Sequence, residues 1–190
     1  MKFNLILFFL VILWSCKSPE VRKPVSGSNT VDFMEASIAR HKKLNKLETN
    51  LFQKIIKNDT IHHYKKSNKG FWYSIDKQID TTSAYPKYGD EVVINYEIRS
   101  IRNDVIYKQE ELGTRGEKDP KDRLYKVDGE DFIQGLQEGI KLMKLGETAT
   151  FLFPSDKVFG ATGFQNRINP NQPLIIEVFL KEIKYKQNNN

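Results

Sequence analysis

The sequence predicts an α+β fold: a sheet of five or six strands accompanied by one short helix, with a helical extension ahead of them. Three observations carry this. Phe132, Ile133, Leu136, Ile140 and Met143 recur at helical spacing, with Gln134, Gln137, Glu138, Lys141 and Lys144 on the other side. Thr148 to Phe153 then form a β-rich run that Pro154 stops. Further β-type runs lie at 70–75, 91–99, 105–107, 124–127 and 174–180.

In chain order, Met1-Lys2 is a minimal basic start and residues 3–13 are an apolar run, too short for an ordinary membrane-spanning helix but of signal-peptide length. The run closes on Leu13-Trp14-Ser15-Cys16, which resembles a bacterial lipobox: Leu three residues before the cysteine, a small Ser directly before it, and a bulky Trp14 between them. That resemblance implies acylation at Cys16. Cys16 is also the single cysteine, so no internal disulfide forms. The expected organisation is a lipoprotein signal peptide at 1–15, a tether at 16–29 rich in Lys, Pro, Ser and Gly, and a helical extension at 30–66. A domain at 70–185 and a polar tail at 186–190 complete it.

A helix is expected to start near Thr30 or Asp32, where Asp32 and Glu35 have capping-box spacing, and to stop at Asn58-Asp59. Leu44, Leu47, Leu51 and Ile55, flanked by Phe52 and Ile56, form its apolar stripe. Alone it has too little apolar surface to fold, so it docks on the domain or pairs with a second copy. His62 and His63 show no nearby carboxylate or cysteine pattern, which argues against a metal. The strand at 91–99 alternates, with Val92, Ile94, Tyr96 and Ile98 on its apolar face. Asn103-Asp104 makes a hairpin turn, and the polar stretch 109–123 reads as a mobile flap or bulge. Gly146 stands where a helix C-cap is expected, and Gly160 and Gly163 punctuate a loop.

With 39% hydrophobic and 28% charged residues the chain is of globular type. Its net charge of +6 comes from lysines interleaved with acids rather than from a basic stripe, which favours a solvated surface over a nucleic-acid face. There is no nucleophile–base pair, no convincing ligand cluster and no phosphate loop: 160–163 lacks the lysine and hydroxyl tail of a Walker motif. Hydrolase and transferase chemistry have little support, and neither cofactor nor metal is expected.

The stretch 131–163 resembles the heart of the FKBP-type peptidyl-prolyl isomerases. Phe132-Ile133, Gly135-Leu136, Gly139-Ile140, Met143, Gly146-Glu147 and Phe159-Gly160 with Gly163 match in order and at the family's spacing; Gly89-Asp90 and Tyr96 extend the match upstream. The resemblance covers the domain at 70–185 and implies a curved antiparallel sheet wrapped on the short helix. Carried over residue by residue, it implies a substrate pocket of Tyr96, Tyr107, Phe132, Ile133, Leu136, Phe159, Ile168 and Ile176. Several of these depart from the family pattern: Leu136 stands for a tryptophan, Phe159 for a tyrosine, Ile176 for a phenylalanine, and Lys108 for the aspartate after the flap aromatic.

A lipobox ahead of such a domain also looks like the FKBP-type lipoproteins associated with gliding motility in Bacteroidetes. The resemblance implies a membrane-anchored prolyl isomerase facing the periplasm of a bacterial envelope, acting on proline-containing exported polypeptides. The alternative is a weakly catalytic or inactive binding module, or holdase, using the same cup. Self-association through the N-terminal helix is a further expectation, and no nucleic-acid partner is expected.

Overall fold

The computed structural model describes residues 28–79, 82–129 and 133–186. Cys16 and Phe132 lie outside them. The chain divides into two compact units, Met1–His41 and Lys42–Asn190. Helix α1, Ser28–Asn58, begins in the first and continues into the second. Asp32 and Glu35 are therefore already inside the helix rather than capping it.

Seven strands form one antiparallel sheet: β1 (Lys65–Lys66), β2 (Trp72–Lys77), β3 (Glu91–Ser100), β4 (Val105–Tyr107), β5 (Arg123–Lys126), β6 (Thr148–Phe153) and β7 (Leu174–Lys184). The path runs β1-β2-β6-β7-β3-β4, and β5 also pairs with β3. The two-residue β1 is the strand beyond the six read from the sequence.

β3 is the hub. Along one side it pairs with β7 from Glu91↔Lys184 to Ser100↔Leu174. Its other side is shared, with β5 covering Glu91 to Ile94 and β4 covering Ile98 and Arg99. Between those pairings, at residues 95–97, no strand of the described residues lies on that edge. The chain from β4 to β5 leaves the sheet there as helix α2, Gln109–Leu112, followed by turns. This segment is tied down rather than loose. Thr114 N–H donates to the Asp122 carbonyl at 2.8 Å, and Asp122 accepts from Asn95 Nδ2 at 2.9 Å and Lys181 Nζ at 2.8 Å. Glu110 and Glu111 sit on the helical turn of α2.

The core lies between the sheet's inner face and helix α3, Gln134–Ile140. Leu136, Ile140, Phe151, Phe153, Ile176 and Val178 are fully buried there, each contributing roughly 1.5–3 kcal/mol through lost apolar exposure. Gly135 and Gly139 permit the close approach: a Cβ on them would meet the Phe153 ring at 2.6 Å and the Phe151 ring at 2.8 Å. The helix ends earlier than its periodicity suggests, because Leu142 and Met143 donate to the carbonyls of Gly139 and Ile140 in a tightened last turn. Gly146 is not the C-cap. It turns the chain into β6 at φ +83° and donates to the Leu180 carbonyl at 2.7 Å.

Residues 42–58 of α1 dock on the opposite face of the sheet. Phe52 packs on Trp72 with ring centroids 5.3 Å apart, and Leu152, Ile55 and Ile56 complete the contact. Leu47, read as part of the stripe, is 58% exposed; its neighbour Glu48 faces inward instead, 3% exposed, and accepts from Ser155 N–H at 3.2 Å. Asp59 stops the helix by accepting from the backbone N–H of Ile61 and His62. Carboxylates do flank His62 after all: Asp59 at 2.7 Å and Asp76 at 3.7 Å. Among the described residues no helix is long and apolar enough to cross a membrane.

Candidate functional site

A cavity of about 470 Å³ opens where the edge of β3 is shared between β4 and β5. β3 supplies Tyr96 and Ile98, β4 supplies Tyr107, and Arg123 stands on β5 opposite Ile94. Ile133, the residue that starts α3, forms another wall. Val158, Phe159, Phe164 and Gln165 come from the loop after β6, and Glu111 and Leu112 from α2.

The loop is a shaped wall. Phe159 stacks on Phe164 with centroids 4.7 Å apart and planes inclined by 17°, and Phe164 lies 5.8 Å from the Tyr107 ring. Phe164 and Ile168 exchange backbone hydrogen bonds at 2.9 and 3.0 Å, closing a tight bend. Gly163 is required there: at φ +66°, a Cβ would stand 2.3 Å from the Ile168 carbonyl oxygen. Tyr107 donates its hydroxyl to Gln165 Oε1 at 3.2 Å. Arg167 bridges this loop to α2 by donating to Glu111 Oε1 at 2.6 Å and to the Ile106 carbonyl.

Tyr96 is 5% exposed, and burial pushes its hydroxyl up to about 12 against the opposing influence of the Arg123 guanidinium. It is a neutral hydroxyl at physiological pH. The site thus offers mainly aromatic and aliphatic walls, interrupted by Glu111, Arg123 and Gln165, a form suited to an apolar ring carrying one or two carbonyls.

Of the residues picked out in the sequence, Tyr96, Tyr107, Ile133 and Phe159 are brought together on this cavity. Leu136, Ile168 and Ile176 are buried in the adjoining core rather than on the cavity surface. Ile98, Glu111, Leu112, Arg123, Val158, Phe164 and Gln165 were not picked out. Ile98 shares the alternating face of Tyr96, a signal that could have found it; nothing in the local pattern marks the others.

Comparison with known proteins agrees with this architecture. The family model described as FKBP-type peptidyl-prolyl cis-trans isomerase matches residues 82–181. The chain is 33% identical over 116 residues to FK506-binding protein 1 of Gibberella zeae, covering 57% of this chain and 97% of that protein. Among solved structures, a peptidyl-prolyl cis-trans isomerase from Pseudomonas syringae pv. tomato aligns with TM-score 0.57 and 19% identity, over 76% of this chain and 96% of that one. FkpA from Escherichia coli aligns with TM-score 0.55 and 22% identity, over 97% and 82%. These two show the shared fold.

Proposed function

The chain belongs to the FKBP-type peptidyl-prolyl cis-trans isomerases, and on that premise we propose that the cavity walled by Tyr96, Tyr107, Ile133 and Phe159 is where X–Pro bonds turn. The observation that supports this most is a cavity of about 470 Å³ whose walls are mainly aromatic and aliphatic. Amide resonance sets a barrier of about 18–20 kcal/mol to rotation about the X–Pro bond. No bond is made or broken, so the protein accelerates rotation by desolvating the amide and binding its twisted form better than either planar one.

In this reading the pyrrolidine ring enters among the aromatic walls, above the buried Leu136 and Ile176. Ile168 backs the site from the adjoining core. The N–H of Ile133 precedes the first turn of α3 and is not consumed by the helix, which makes it a donor for a substrate carbonyl. The neutral Tyr96 hydroxyl stands on the same wall. Phe159 offers bulk but no hydroxyl at its edge.

The reading places the enzyme on a membrane. Cys16 carries the lipid, the domain faces the periplasm of a bacterial envelope, and the substrates are exported polypeptides containing proline, gliding-motility components of Bacteroidetes among them. The lipobox-like Leu13-Trp14-Ser15-Cys16 supports the anchor. Phe33, Met34 and Ile38, exposed on α1, support self-association through that helix.

Two experiments test these statements. A protease-free isomerase assay on residues 18–190 is expected to show acceleration of short X–Pro peptides that Ile133→Asp abolishes, since an unpaired charge in an apolar wall is costly. An Ile133→Asp chain that folds and still accelerates them would move the site elsewhere. In cells, the full chain is expected to take up labelled fatty acid and sediment with membranes, and Cys16→Ala to do neither. Equal labelling of both would remove the anchor.

A further inference from the structure

The loop after β6 brings Val158, Phe159, Phe164 and Gln165 to the cavity, and of these only Gln165 is polar. One end of its amide is anchored. Tyr107, 3% exposed on β4, donates its hydroxyl to Gln165 Oε1 at 3.2 Å. A side-chain amide carries two N–H donors besides that acceptor. Among the described residues no group takes them, and the residue itself is exposed at the cavity.

Gln165 also stands where the backbone does not favour it. The Arg167 N–H donates to the Phe164 carbonyl at 3.1 Å, closing a turn whose central residues Gln165 and Asn166 both have positive φ, +46° and +56°. Such a turn prefers glycine, asparagine or aspartate at both positions; Asn166 meets that preference and Gln165 does not. The turn alone therefore gives no reason for a glutamine. Residues held in this way cluster at ligand-binding sites.

We propose that the Gln165 amide N–H donates to a backbone carbonyl of the bound X–Pro segment, which makes Gln165 a substrate-binding residue on the wall where Phe159 has no hydroxyl. The inference rests on the isomerase reading of the cavity. A peptide carbonyl that leaves water for an aromatic wall is costly without a donor. The Ile133 N–H serves from the start of α3, and the loop wall has the Gln165 amide to offer. Because Tyr107 already holds that amide, little rotamer freedom is lost when substrate binds.

The test follows cis–trans exchange of Ala-Ala-Pro-Phe by NMR with wild type, Gln165→Glu and Gln165→Gly, each with and without Phe159→Tyr. Gln165→Glu still accepts from the Tyr107 hydroxyl but, once ionised, has no donor. Gln165→Gly suits the left-handed turn and removes the side chain. Both are expected to lower kcat/KM by about 2- to 10-fold, the worth of one hydrogen bond. Phe159→Tyr puts a donor back on the same wall, so it is expected to raise kcat/KM by a larger factor in either variant than in wild type. A role confined to holding Tyr107 would leave Gln165→Glu as fast as wild type. That result, or the same factor from Phe159→Tyr in all three backgrounds, would overturn the inference while leaving the isomerase in place. Failure of the wild-type chain to accelerate the peptide would remove both.

Discussion

The guanidinium carbon of Arg167 lies 3.9 Å from the centroid of the Tyr107 ring. The same side chain donates to Glu111 Oε1 at 2.6 Å and to the Ile106 carbonyl, so one residue of the loop after β6 clasps both the short strand β4 and helix α2. Arg167→Ala is expected to free the Tyr107 wall. An exposed cation–π contact and a surface ion pair together amount to about 1–2 kcal/mol, so kcat/KM should fall by roughly 5- to 30-fold. Circular dichroism should stay unchanged, because Arg167 itself is exposed. Arg167→Lys keeps the charge but cannot serve all three partners, and should recover only part of the loss.

Phe159→Tyr adds a hydroxyl at the cavity while preserving the ring that stacks on Phe164. One new hydrogen bond to a substrate carbonyl is worth about 0.5–1.5 kcal/mol. The variant should gain roughly 2- to 10-fold in kcat/KM in the isomerase assay. An unchanged or lower rate would mean the hydroxyl finds no substrate atom there.

At Gly139 the sign of the effect is diagnostic. In an exposed helix Gly→Ala stabilises by about 1 kcal/mol. Here the new Cβ would sit 2.8 Å from the Phe151 ring, so Gly139→Ala should instead destabilise by about 1–3 kcal/mol in urea unfolding. A gain in stability would contradict the close packing of α3 on the sheet.

Glu48 predicts a pH dependence. Burial raises its carboxyl above the ordinary value, with the hydrogen bond to Ser155 opposing. The folded state therefore holds this proton more tightly than the unfolded chain does. The contribution is fully present below the unfolded value, near 4.5, and is lost as pH rises through the higher folded value. Glu48→Gln cannot ionise, so its stability relative to wild type should increase from pH 4 toward pH 7, as followed by thermal unfolding. A pH-independent difference would contradict the burial of this carboxylate.

Much of the fold was legible because periodicity reports directly on which faces are buried. The six longer strands, the helix carrying Leu136 and Ile140, and the bend at Gly163 all follow from alternation, helical spacing and glycine. What escaped depends on register between distant segments. Arg123 reaches the cavity because it pairs opposite Ile94, and Glu111 meets Arg167 across fifty-six positions of sequence. Neither relation leaves a local pattern. Polarity also misdirected the eye: the charged stretch 109–123 read as mobile, yet its charges and Thr114 tie it down. On α1, Leu47 read as part of the apolar stripe, yet it is exposed, and the Ser155 N–H draws its neighbour Glu48 inward.

The central claim is that X–Pro bonds turn within the cavity between β3, β4 and the loop after β6. Exchange NMR of a short X–Pro peptide with isotopically labelled protein tests it in one sample, because the peptide's cis–trans exchange and the protein's own shifts are read together. The predicted result is accelerated exchange with shift changes concentrated at Tyr96, Tyr107, Ile133 and Phe159. Accelerated exchange with shifts concentrated instead around Phe52 and Trp72 on the opposite face, or no acceleration at all, would contradict it.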